Sequence, residues 1–288
     1  MSVHMSYSYA VTRPDASLEE GLSRMRGVAG APVRLVRARG LAVVVSPVPE
    51  SDFGETALKA RLEDLDWLES VARAHHAVVE AVFARTTVLP LRLATLHLDD
   101  NRVRDMLDRR ADEFAWLLDQ LAGHVEWGVK VYALPSAPGS PAPAAVSGAA
   151  DTSPGRDYLR SRQRQRRSGE DAWRAAHDAV LSIDAAARGL AVERVQHRLQ
   201  EGELATGPGY NVSNNAYLVP RERGEEFQSQ LLGAGENLDG IRVDITGPWA
   251  PYSFTASDDA SDDTDDAQET HREGGAEAEI TERKAGTQ

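Results

Sequence analysis

Apolar residues along the chain switch repeatedly between a period of two and a period of three to four, the mark of strands mixed with helices. SYSYAV (Ser6–Val11) reads as a short strand. PVRLVRARGLAVVVSPV predicts two strands that turn at Arg39-Gly40, the second a nearly continuous apolar run suited to burial. From about Asp52 the spacing becomes helical, with Leu65, Leu68, Ala72, Val79, Val82 and Phe83 forming one stripe. TVLPLRLATLH predicts a strand that Pro90 confines to an edge or a bulge. Asp99 or Asp100 can cap the next helix, whose stripe of Val103, Leu107, Phe114, Leu117, Leu118 and Leu121 ends at Gly123. In VEWGVKVYAL the residues Val125, Trp127, Val129, Val131 and Ala133 alternate onto one face of a strand.

The pattern then stops. PSAPGSPAPAAVSGAADTSP (Pro135–Pro154) has no aromatic residue and nothing from which to build a core, so it reads as a linker. Beyond it, Ser153 and Pro154 suit the start of a helix whose first turns are polar and whose later stripe is Trp173, Ala176, Val180, Ile183, Ala187 and Leu190. AVERVQHRLQ fits neither period. NNAYLVPR is a buried strand stopped by Pro220, GEEFQSQLL a short helix, and Ile241, Val243 and Ile245 alternate in a last strand. That strand runs into GPWAPYSF (Gly247–Phe254). Its two prolines remove ladder donors and favour a stiff, extended strip, while its three rings must reach a dry place.

These elements predict an α+β fold of two small modules. Residues 1–134 form a modified ferredoxin-like domain, 135–154 a linker, and 155–254 a second α+β domain. The second domain has the order of a ferredoxin-like half-sandwich without its first strand. Residues 255–288 hold eleven acidic residues against Arg272, Arg283 and Lys284, with almost no bulky apolar side chain, and are expected to be disordered.

Composition narrows the chemistry. With no cysteine, the chain has no thiolate ligands, disulfides or cysteine nucleophiles. The net charge is −13, and the basic residues are nearly all Arg without one concentrated face, so no nucleic-acid partner is expected. No apolar run approaches the roughly 20 residues of a membrane span, and the N-terminus lacks the pattern of a signal peptide. The expected location is the cytoplasm, with no membrane partner.

Within AHHAVVEAV, His76 and Glu80 lie one helical turn apart with His75 beside them, but a third metal ligand is missing and H-E-x-x-H is absent. DDASDDTDD lacks the central glycine and closing glutamate of a calcium loop. GLSRM has Met25 where a nucleophile elbow needs glycine. No catalytic residues, metal or cofactor are therefore expected. Arg156, Arg160, Arg164 and Arg167 make one helical stripe that can serve either as a solvated face or as a seat for an acidic partner. Trp249, Tyr252 and Phe254 either close their own core or offer an anchor to a partner.

SYSYAVTR, GAPVRLVRARGLAVVVSPVP, TVLPLRLATLH, VEWGVKVYA, GRDYLRSRQ, NNAYLVPR and TGPWAPYSF, in this order, resemble the GvpL/GvpF family of gas vesicle proteins over about Ser6–Phe254. Two departures stand out. Ala250 replaces a proline of the family's G-P-W-P-P-Y-S-F, and Leu93-Ala94 stand where the family has Phe and Gly. The resemblance implies an accessory or minor structural protein without enzymatic activity. Its partners would be the main, very hydrophobic shell protein of the gas vesicle and other gas vesicle accessory proteins. The partner-binding residues would be Tyr158, Arg156, Arg160, Arg164, Trp249 and Tyr252. The alternative is a ligand-binding regulatory module, since paired ferredoxin-like domains also hold metabolites.

Overall fold

β1 (His4–Thr12) runs through the middle of an antiparallel sheet ordered β2 (Arg34–Ala38), β3 (Leu41–Pro49), β1 and β4 (Val88–Pro90), with β5 (Leu96–His97) also paired to β1. The structure is a computed structural model that describes residues 4–61, 63–134, 162, 173–199, 209–235 and 240–255. The β2–β3 hairpin turns through Arg39 (φ 54°) and Gly40 (φ 73°), the left-handed pair that matches strand twist in a two-residue loop. Pro90 does sit on an edge strand, at the last pairing position of β4 with β1.

Both faces of this sheet are covered. On one, Tyr7, Tyr9 and Val44 meet Leu18 and Leu22 of α1 (Ala16–Leu22), Phe53 of α2 (Glu50–Phe53), and Val71, Val78, Val79 and Val82 of α4 (Leu65–Phe83). The short α3 (Glu55–Arg61) buries none of its residues. On the other face, Val11, Val36, Val43 and Val45 meet α5 (Asp100–Arg109) and α6 (Ala111–Leu121) through Val103, Leu107, Phe114 and Leu118. One helix was expected there. The backbone leaves helical geometry at Arg110 (φ −113°, ψ 21°), so two helices share the stripe.

Asp99 caps α5, its carboxylate accepting from the Asn101 and Arg102 amides. Asp100 is used differently. It accepts two hydrogen bonds from the Arg34 guanidinium, at 2.6 and 2.8 Å, and one from the Ser6 hydroxyl at 2.6 Å. Arg34 first, then Ser6, hold its carboxyl below the usual range.

The second sheet is ordered β7 (Glu193–Gln196), β8 (Tyr210–Pro220), β6 (His124–Ala133) and β9 (Ile241–Trp249). α7 (173–187) and α8 (Gly224–Gly235) cover one face, placing Ile183, Ala187, Phe227 and Leu231 in the same core as Val125, Trp127, Val129 and Tyr217. Val195 pairs with Ala216, which decides the ambiguous AVERVQHRLQ segment in favour of a strand.

The connectivity corrects the expected division at residue 134. β6 does not close the first sheet; it pairs with β8 and β9 as a central strand of the second. Read from β6, the order β6-α7-β7-β8-α8-β9 repeats that of β1-α1-β2-β3-α4-β4, and both sheets have the same strand order. The βαββαβ ferredoxin-like arrangement thus occurs twice, and the first strand expected to be missing from the second module is β6. One apolar cluster spans both, from Tyr7 and Val44 to Val129 and Tyr217, and the described residues form one compact unit. The linker and the acidic tail lie outside the described residues.

Candidate functional site

α4 has a capped start, with Asp64 accepting from the Trp67 amide at 3.1 Å, and buries one face through Val71, His75, Val78, Val79 and Val82. Helical spacing therefore turns His75 into the core while His76 and Glu80 line the flank, one turn apart. The end of the chain meets that flank. Among the described residues β9 pairs only with β6, and a bulge between Glu126 and Gly128 spans Gly247 and Pro248 before the ladder resumes at Trp249 opposite Glu126. Gly247 is required there. Its φ is 138°, and a Cβ would come within 2.8 Å of the Glu126 carbonyl and 3.1 Å of the Trp127 ring.

After Trp249 the expected stiff strip does not continue. Tyr252–Phe254 form a 3-10 turn that folds the segment back onto the protein. The Ala250 amide donates to Glu80 Oε1 at 3.2 Å. Ser253 donates twice to Glu126, from its amide to Oε2 at 2.8 Å and from its hydroxyl to Oε1 at 2.7 Å. His197 Nε2 lies 2.9 Å from the same hydroxyl. Trp249 stands against His76 with ring centroids 5.6 Å apart, and Tyr252 lies 6.3 Å from His75. Ala250 is completely buried, and Phe254 enters the core shared by α5 and α6. Removing the Phe254 ring from water contributes about 2–3 kcal/mol.

This strap crosses the two modules, bonded to α4 of the first and to β6 of the second. Its seat is partly desolvated. Burial raises the Glu126 carboxyl, with the two Ser253 bonds acting in the opposite sense. Burial also raises the Tyr252 hydroxyl, helped by nearby Glu80. His75, 3% exposed, is pushed down to about 4 by burial. Tyr7 Oη accepts from the Ala94 amide at 3.1 Å and lies 3.1 Å from His75 Nδ1, which ties the buried ring to β1.

Of the residues the sequence singled out, Trp249 and Tyr252 come together here, with Trp249 left 39% exposed and Tyr252 packed onto the core. Arg156, Tyr158, Arg160 and Arg164 lie outside the described residues. His75, His76 and Glu80, weighed as a metal group, instead form part of the seat of the strap. No group of three His, Asp or Glu side chains among the described residues could hold a metal ion. Glu126, His197 and Ser253 had no signal in the sequence. Glu126 reads as an ordinary outward-facing residue of an alternating strand. No helix among the described residues is long and apolar enough to cross a membrane.

Fold and strap define a two-module α+β protein in which the modules are tied together by an aromatic C-terminal segment. Crystal structures of two gas vesicle proteins share this fold. GvpF from Anabaena sp. PCC7120 aligns with a TM-score of 0.61 at 17% identity, over 88% of this chain and 97% of that one. GvpF from Microcystis aeruginosa aligns at 0.58 and 16%, over 88% and 99%. In sequence, the chain is 45% identical to gas vesicle protein L of Streptomyces sp. (strain CB03234), over 93% of this chain and 98% of that protein. It is 26% identical to gas vesicle protein F of the same strain, over 86% and 98%. Residues 5–256 match the family described as gas vesicle synthesis protein GvpL/GvpF, and the chain belongs to that family.

Proposed function

We propose that this protein assists assembly of the gas vesicle wall by binding its hydrophobic shell subunit, alongside other gas vesicle accessory proteins, and without catalysing a reaction. A subunit apolar enough to line a gas-filled shell aggregates when released free. A partner that covers part of its surface keeps it soluble until it joins the wall. The observation that carries this reading is the division of labour along the strap. The His/Glu group of α4 is spent on holding it, while Trp249 at its lip keeps 39% of its surface in solvent. An aromatic ring held at the edge of a rigid seat suits a contact residue, because little freedom is lost when it is covered.

The test is capture of the shell subunit by the tagged protein after co-expression. Trp249→Ala is expected to reduce capture about tenfold or more. Undiminished capture by a folded Trp249→Ala variant would defeat this assignment.

A further inference from the structure

The strap is held chiefly by side chains. Pro248 and Pro251 have no N–H to offer a strand. Among the described residues, the Tyr252 amide bonds to the Ala250 carbonyl (2.9 Å) and the Phe254 amide to the Pro251 carbonyl (3.3 Å), both within the strap's own turn. Among the described residues the outward bonds run to side chains, from the Ala250 amide to Glu80 and from Ser253 to Glu126 and His197. Backbone fastened by a few side-chain bonds opens at lower free energy than backbone stitched into a ladder. One acceptor also lowers the cost of opening. Glu126 is desolvated in the docked state, so its rehydration offsets part of what the lost bonds cost.

We propose that Ala250–Thr255 is a releasable clamp: docked, it ties α4 to β6; lifted, it presents Trp249, Tyr252 and Phe254 together as an apolar strip for the shell subunit. The identity of this partner rests on the assembly reading above. The clamp is the two-state element that a bound subunit would bias, since the subunit contacts rings that only the lifted state offers in full.

The test is amide hydrogen exchange on the full-length protein without any partner. The Ala250, Tyr252, Ser253 and Phe254 amides are expected to exchange together, at least about tenfold faster than the Val129 and Tyr217 amides of the β6–β8 ladder. Ser253→Ala removes the hydroxyl bonds to Glu126 and His197 and is expected to speed the strap about tenfold further without changing Val129 or Tyr217. Glu126→Gln should act in the same direction. Strap amides as protected as Val129, or variants that speed strap and ladder alike, would overturn the proposal. Because no shell subunit is present, this result stands apart from the capture experiment. A rigid strap leaves the assembly reading intact, and failed capture leaves a measured opening intact.

Discussion

Acidification tests the placement of His75 most directly. The ring is 3% exposed, lies between Tyr7 and Tyr9 at centroid distances of 5.7 and 5.5 Å, and has its Nδ1 3.1 Å from Tyr7 Oη. In the unfolded chain it protonates near 6.5; in the folded protein burial keeps it neutral down to about 4. Between those values the unfolded state binds a proton that the folded state refuses, so stability falls as pH falls. The slope approaches ~1.4 kcal/mol per pH unit. From about pH 7 to about pH 5 this one ring should therefore cost about 2 kcal/mol, and by about pH 4 the full loss is about 3 kcal/mol. Urea unfolding at both pH values measures the drop. Carboxyl groups contribute as well, so the comparison is with His75→Asn, whose side-chain amide can keep a hydrogen bond to Tyr7 Oη but does not titrate. The variant should start less stable because the ring's volume is lost, yet lose about 2 kcal/mol less on going to pH 5. Parallel losses in the two proteins would refute the reasoning, for the ring would then protonate as readily folded as unfolded.

Two substitutions probe the backbone. Ala94 sits at φ 61°, where its Cβ is strained, and its amide is committed to Tyr7 Oη, so Ala94→Gly should raise stability by about 0.5–1 kcal/mol in urea unfolding. A loss there would mean that the left-handed turn is not what the position requires. At Gly27 a Cβ would collide with Tyr9 Oη and lie 2.7 Å from Ser46 Oγ. Gly27→Ala should cost about 2–3 kcal/mol in the same assay, and adding Tyr9→Phe should recover part of it.

Much of the fold was readable because local chemistry and tertiary role agree. Arg39-Gly40 marks a hairpin, Asp99 a helix start, and the alternation from Val125 to Val131 a strand with one buried face. What alternation does not carry is the partner of a strand. Val125–Ala133 shows which side chains turn inward, but nothing in it says that the strand pairs with β8 and β9 rather than with β1. The Pro/Ala/Gly-rich stretch compounded the error. A segment with that composition suggests a border between domains, whereas in chain order it falls between β6 and α7, inside the second module. β1 also carries a detail that alternation hides. Its Ser6 and Ser8 are buried and bonded to Asp100 and His97, partners that lie some ninety residues away in the chain.

For the site, the aromatic strip was legible as a packing element because its rings and prolines allow little else. Its seat was not. His76, Glu80 and Trp249 are far apart in the chain, and a histidine beside a glutamate on a helix reads the same whether it awaits a metal ion or a backbone amide. Leu93-Ala94, the visible departure from the family pattern, falls in the loop that carries the hydrogen bond to Tyr7. There glycine is the residue that the dihedral angle favours.

The placement of β6 governs how this molecule can be divided. A product ending at the proline-rich stretch would retain a ten-residue strand with both hydrogen-bonding edges bare, an invitation to precipitate. Its complement would strand β9 with no neighbour to lie against. A cut intended to yield two manageable pieces belongs before His124, and even there it would slice through apolar side chains that both halves now hold in common.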